Sequence, residues 1–187
     1  FDDGTSWNPF QLNLPVTAIR DLQVRDNDLI VATHGRSFWI IDDLTPLHQL
    51  TKDIVANDLH LYKPDASYRM HQSSGWSKPN PKLVGENHPD GVIINYYVKR
   101  FTVADTVQLD ILEKNGNLVQ SFSTSAKENK LNPAAPKPLT VTSGGNRMVW
   151  NMRYPGFKTF DGMIFYSSPN IGPKAVPGIY KAKLTVN

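Results

Sequence analysis

The chain has 187 residues, 40% hydrophobic and 20% charged, with 14 Pro, 12 Gly, 4 Trp, no Cys and a formal net charge of +3. No run approaches the ~18 consecutive apolar residues of a membrane-spanning helix, so no membrane span is expected. The absence of Cys removes disulfides, thiolate nucleophiles and Cys-based zinc sites together, and leaves the redox compartment open.

In chain order, Ala18–Arg25 reads as a strand, followed by a turn at Asn27-Asp28. Leu29-Ile-Val-Ala-Thr33 is a continuous apolar run, the pattern of a strand covered on both faces. His34-Gly35-Arg36 is a tight turn into Ser37-Phe-Trp-Ile-Ile41, which completes a hairpin. Residues 43–58 form the one helical stretch, shorter than three turns. Asp43 or Thr45 serves as cap, Pro46 lies in the first turn, and Leu47, Leu50 and Ile54 share a face. Residues 64–91 are rich in Pro and Gly, and Pro79, Pro81 and Pro89 forbid a regular central strand, so 55–90 reads as a linker.

Beyond residue 91 the alternation is clean. Val92, Ile94, Tyr96 and Val98 share one strand face, with Asn95, Tyr97 and Lys99 on the other. Val107, Leu109 and Ile111 repeat the pattern. Lys114-Asn-Gly-Asn117 predicts a type I′ hairpin turn leading to a return strand at Leu118–Ser123. After a turn at Ser143-Gly-Gly-Asn146, Met148, Trp150, Met152 and Tyr154 line one face of a further strand. Residues 155–176 read as a long loop around one short strand at Met163–Tyr166, and Tyr180, Ala182, Leu184 and Val186 line the last strand. The fold class is therefore all-β: an incomplete first sheet over 1–54, a linker over 55–90 with one short helix before it, and an antiparallel β-sandwich over 91–187.

Charge follows that division. Residues 1–50 carry three basic residues (Arg20, Arg25, Arg36) against seven acidic ones, a net of −4, while the remainder has 17 against 10, a net of +7. The basic half has no dense Lys/Arg run and no RNA-binding signature, so its cations are solvating and no nucleic-acid partner is expected. No secretory signal opens the chain and residue 1 is Phe, so the chain is expected to be cut from something longer.

Catalytic chemistry finds little footing. Asp42-Asp43 is the obvious carboxylate pair for glycoside hydrolysis, but neighbours on a strand point oppositely and the pair sits where a helix is capped. His34, His48, His60, His71 and His88 are dispersed, without the spacing of a metal site, and His34 reads as a turn residue. A calcium site on loop carbonyls leaves little sequence trace and stays open. Gly-x-Ser-x-Gly, phosphate-loop and dinucleotide fingerprints are missing. No catalytic residue, cofactor or metal ligand is expected. Exposed aromatics can stack on sugar faces, and Trp76, Tyr97 and Tyr166 are the candidates for such a surface, with polysaccharide as the partner.

Two segments resemble a known family. Phe1-Asp-Asp-Gly-Thr-Ser-Trp7 is similar to an Asp-box, the Ser-x-Asp-x-Gly-x-Thr-Trp turn of sialidase-like and sortilin-like β-propellers, with Asp2, Gly4 and Trp7 in place and Ser6 replacing Thr. Asp28-Leu-Ile-Val-Ala-Thr-His-Gly-Arg-Ser-Phe-Trp-Ile-Ile-Asp-Asp-Leu-Thr-Pro-Leu47 resembles the last blade of large bacterial BNR-repeat, glycosyl-hydrolase-like proteins. In these an Ig-like domain, similar to that of the flagellar hook-capping protein, follows the propeller. Gly145–Tyr154 and Gly172–Val186 resemble its core strands.

The resemblance implies that Asp2 closes a structural turn, that Trp7 plugs between sheets, and that any catalytic acids lie in earlier blades. It further implies a secreted, periplasmic or cell-surface bacterial location. A blade takes roughly 40–45 residues and a ring at least ~4 blades, so the implied partner is the remainder of the propeller. The expected role is a non-catalytic region that closes the ring and supplies an Ig-like accessory domain. The alternative is a carbohydrate-binding accessory module of a polysaccharide hydrolase.

Overall fold

A computed structural model describes residues 4–70, 88–126, 137–158, 160, 163 and 170–187. The chain divides into two compact units, Phe1–Asn57 and Asp58–Asn187.

In the first unit, β1 (Ile19–Arg25), β2 (Asp28–Thr33) and β3 (Phe38–Ile41) form an antiparallel sheet in the order β1-β2-β3. Arg25 pairs with Asp28, so the first turn is Asp26-Asn27, one residue earlier than expected, with Asp26 at φ 54°. The Asn27 amide explains the shift. It donates to Asp43 Oδ1 (3.0 Å) and Thr45 Oγ1 (2.7 Å), which ties the turn to the start of the helical segment. The second turn carries Gly35 at φ 75° and Ser37 at φ 65°. There Thr33 Oγ1 donates to Ser37 O and accepts from Arg36 N.

The helical stretch is two helices rather than one, α1 (Thr45–Gln49) and α2 (Lys52–Ala56). Leu50 is extended (ψ 118°), and Thr51 caps α2 by accepting from Ile54 N at 3.3 Å. A β-branched residue with a hydroxyl gains more as a cap than inside a helix, which breaks the run there. Asp43, just ahead of α1, accepts from Thr45 N at 3.1 Å, in keeping with a turn role for this carboxylate.

The second unit contains β4 (Leu59–Leu61), β5 (Val92–Val98), β6 (Val107–Glu113), β7 (Leu118–Ser123), β8 (Gly144–Trp150) and β9 (Tyr180–Val186). They form two three-stranded antiparallel sheets, ordered β4-β5-β8 and β7-β6-β9. Strand β4 lies in the stretch expected to be linker. Its three residues are too few to show alternation, and it is held by pairing with Tyr96–Val98 and by Lys99 on Asp58 (Nζ to Oδ1, 2.7 Å).

Both sheets contribute to one core. Ile94, Tyr96, Val98 and Trp150 from one meet Val107, Leu109, Ile111 and Val119 from the other, with Leu139, Val141, Met152 and Ala175. Trp150 meets Tyr180 edge-on at 5.2 Å, a contact between the two sheets. Alternation places these side chains inward, and burying each large one contributes about 1.5–3 kcal/mol before chain entropy is counted.

Two local expectations change. The Lys114–Asn117 turn has Glu113 O accepting from Gly116 N (2.9 Å) and Asn117 O accepting from Glu113 N (2.8 Å), and only Gly116 takes a positive φ (97°). It is a three-residue loop ending in a glycine bulge, because the Asn115 side chain accepts from Asn117 N and holds its own backbone out of the left-handed region. The Ser143–Asn146 segment is no free turn, since Gly144 already pairs with Val98 at the start of β8. Gly144 there has φ 105°, which favours glycine. The Asn146 amide bridges Thr142 and Gly144 from within the strand.

Strand β8 also ends sooner than expected. Met152 (φ 54°) turns out of it, so Met152 and Tyr154 lie beyond the strand, although Met152 stays in the core. The loop after it is pinned by Asn170, which is 6% exposed. Its Oδ1 accepts from Phe157 N (2.7 Å) and its Nδ2 donates to Phe157 O (2.6 Å), so a side-chain amide pairs with the backbone as a second strand would. Residues 164–166 of the expected short strand lie outside the described residues.

Candidate functional site

The first unit presents an uncovered apolar sheet. Register places Leu22, Val24, Leu29, Val31, Trp39 and Ile41 on one face, and Ile30, Ala32, Phe38 and Ile40 on the other. Leu22 is 60% exposed and Phe38 is 74% exposed, so neither face is closed within the unit. Strand β2 was expected to be covered on both sides, yet only Val31 of it is buried. Its other residues are half-buried, because its hydrogen-bonding neighbours β1 and β3 flank it edge to edge and do not cover its faces.

Gly4 and Trp7 belong to the Asp-box-like turn, whose residues Phe1, Asp2 and Asp3 lie outside the described residues. Trp7 Nε1 donates to Gly4 O at 2.9 Å, with Gly4 at φ 83°. The indole is 88% exposed instead of plugged between sheets, because nothing within the unit reaches over it. With Phe10, Leu47, Leu50 and Val55 it lines an apolar cleft of 590 Å³.

Tyr97 lies on the face of β5 turned away from the core, directly opposite His60 of β4 and Gly145 of β8. His60 stacks edge-on against Tyr62 at 4.7 Å, and burial pushes the Tyr62 hydroxyl pKa up. Tyr97 is thus half-buried beside its pairing partner His60 rather than on a flat exposed platform. Trp76 and Tyr166 lie outside the described residues, so no stacking surface of all three is drawn together.

Several titratable groups among the described residues tie the fold together. Tyr154 donates to Glu113 Oε1 at 2.6 Å; that hydrogen bond raises the tyrosine to about 12 and lowers the carboxylate below its usual range. Lys174 is held by Asp90 (2.8 Å) and by Met70 O (3.0 Å). Asp58 is lowered by its hydrogen bond from Lys99. His34 accepts from Arg20 through Nδ1 at 3.1 Å, in its turn. Among the described residues no group of three His, Asp or Glu side chains converges as metal ligands would.

No family model, curated protein or solved structure matches the chain.

One residue that sequence reasoning passed over is Gln120. The register of β6 and β7 slips by one at Val119, a β-bulge that leaves Val119 and Gln120 both buried in succession. Gln120 faces inward opposite Ile111, and among the described residues its Oε1 has no hydrogen-bond donor. The signal was a polar residue two positions before Phe122, on the inward side of the strand.

Proposed function

We propose that the first unit is a blade of a BNR/Asp-box-type β-propeller and the second an Ig-like β-sandwich appended to it. Together they form a non-catalytic, architectural C-terminal region of an exported bacterial glycosyl-hydrolase-like protein. The observation that carries this reading is the β1-β2-β3 meander with apolar side chains uncovered on both faces. A sheet in a two-layer domain needs one apolar face, whereas a blade lies between two neighbours and needs two. The Gly4–Trp7 turn supports the same reading, since its exposed indole is suited to a seat in an adjoining sheet. The region's work is then mechanical: it completes a ring and holds an accessory domain beside it.

Hydroxyl-radical footprinting of Trp7, Leu22 and Phe38 tests this. In the protein isolated from its native cell the three side chains are expected to be strongly protected, and in the 187-residue chain alone they are expected to be labelled freely. Equal labelling in both preparations overturns the proposal.

A further inference from the structure

Asn115, in the loop between β6 and β7, is the one asparagine of the chain that is followed by glycine. That order suits an intramolecular attack. The backbone nitrogen of the second residue meets the side-chain amide carbon of the first, and glycine has no Cβ to obstruct the approach. Lys114, Asn115, Gly116 and Asn117 are all exposed, so water reaches the loop.

The loop also prepares the amide carbon. Asn115 Oδ1 accepts from Asn117 N at 3.0 Å. That N–H points at the oxygen on which negative charge develops when a nucleophile adds to the amide, the placement of an oxyanion donor. Gly116 N donates to Glu113 O at 2.9 Å and must leave that oxygen before it attacks. An exposed hydrogen bond of this kind holds the nitrogen back by only about two- to tenfold. Among the described residues, nothing beyond its chain neighbours lies within 4 Å of where a Cβ of Gly116 would stand, so the residue has room to swing.

The same loop adjoins a clamp. The Glu113 carboxylate gathers hydrogen bonds from Tyr154 (2.6 Å), from Asn117 Nδ2 (3.3 Å) and from the Asn115 side chain. Tyr154 lies beyond β8, so this carboxylate ties the β6–β7 hairpin to the chain that leaves the other sheet. An amide at position 115 donates to Glu113, whereas a carboxylate in its place repels it.

We propose that Asn115-Gly116 is a self-modifying site: the hairpin converts Asn115 to isoaspartate and aspartate, which sets a second negative charge against the Glu113 carboxylate that holds Tyr154. Gly116 N bonds to Asn115 Cγ, the Cγ–Nδ2 bond breaks, and Nδ2 leaves as ammonia with the proton that Gly116 N gives up. Water then opens the succinimide ring. Addition at Cγ breaks the Cγ–N bond and leaves aspartate. Addition at the main-chain carbonyl breaks the C–N bond there and leaves isoaspartate, with one more carbon in the backbone. Nothing is oxidised or reduced, and only water is consumed. The site lies wholly in the second unit and holds whether or not the first belongs to a propeller.

The test follows the 187-residue chain at neutral pH by peptide mapping, with isoaspartate and aspartate separated by chromatography. Asn115 is expected to convert before any other asparagine, at a rate within about tenfold of that in the free peptide Glu-Lys-Asn-Gly-Asn-Leu. In the converted chain and in Asn115→Asp, NMR should find the Glu113 carboxyl titrating about 0.5 pH higher than in the native chain. Asn115→Asp keeps the acceptor for Asn117 N and therefore keeps the loop, which circular dichroism and the β6–β7 amide shifts verify. Asn115 lagging behind another asparagine such as Asn57, or converting more slowly than that range allows, overturns the site. An unchanged Glu113 titration in both the converted chain and Asn115→Asp overturns its effect on the clamp.

Discussion

The two units use the same alternation of apolar and polar residues to opposite ends. In the second, Leu109 and Ile94 face one another's sheets and are almost wholly buried; in the first, Leu22 and Phe38 occupy equally regular strand positions and remain open. Alternation decides which side of a strand is apolar, and it says nothing of whether a second layer exists to cover that side. The first unit makes the distinction visible because both faces of its sheet carry apolar side chains, the second alongside Asp21 and Gln23, and neither is closed within the unit.

The largest effect that sharpens this contrast comes from truncating matched leucines. Leu109→Ala should cost the second unit about 2–5 kcal/mol, the sum of lost transfer energy and a residual cavity. Leu22→Ala should change the first by no more than about 0.5 kcal/mol, as at an exposed site. Hydrogen exchange of the β6 and β2 amides measures each unit separately. Similar losses at the two positions would mean that the first sheet is covered after all.

Next in size is Asn170→Ala, which removes two part-buried hydrogen bonds to the Phe157 backbone. Urea unfolding should show a loss of about 1–3 kcal/mol. Asn170→Asp keeps the acceptor and loses the donor, so it should recover only part of the difference. Tyr96→Phe should cost almost nothing or stabilise by up to about 1 kcal/mol, since among the described residues its buried hydroxyl has no partner. The same burial raises its pKa to about 12.

The smallest effect is on pH. The Glu113 carboxylate is lowered, so its contribution is present above its ordinary value of 4.5 and is lost as pH falls through the lowered value. Tyr154 is raised, so its contribution is present below 10 and is lost as pH rises through about 12. Stability of the second unit should therefore decline at both ends, and Tyr154→Phe should flatten both limbs. A profile unchanged in Tyr154→Phe would show that the pair contributes nothing.

Most strands were legible because their side chains repeat with period two: Val92–Val98, Val107–Ile111 and Tyr180–Val186 all fall as their pattern requires. What escaped depends on single groups acting at a distance from the pattern. Thr51 splits a helix by capping, Asn115 changes a turn by bonding its own chain, and Asn146 keeps a Gly-Gly pair inside a strand. Strand β4 has only its neighbour to define it. Of the candidate site residues, Tyr97 was correctly set on the face away from the core, but His60 and Tyr62 join it through β4, which no periodicity announced. Gln120 follows from alternation with Phe122, whereas the burial of Val119 beside it depends on a register slip, and local sequence carries no mark of where a partner strand will slip.

The pairing of β6 with two very different partners sets an order of events during synthesis. Strand β7 follows after a three-residue loop and can zip within microseconds. Strand β9 pairs Glu113 with Tyr180 and Val107 with Val186, and at ~5–20 residues per second the roughly 70 residues between take on the order of 4–14 s to appear. Through that interval Val107, Leu109 and Ile111 wait on a hairpin with one side unzipped. A nascent chain stalled ahead of Tyr180 should bind a chaperone that recognises exposed apolar strands, and one extended far enough past Val186 for β9 to pair should not.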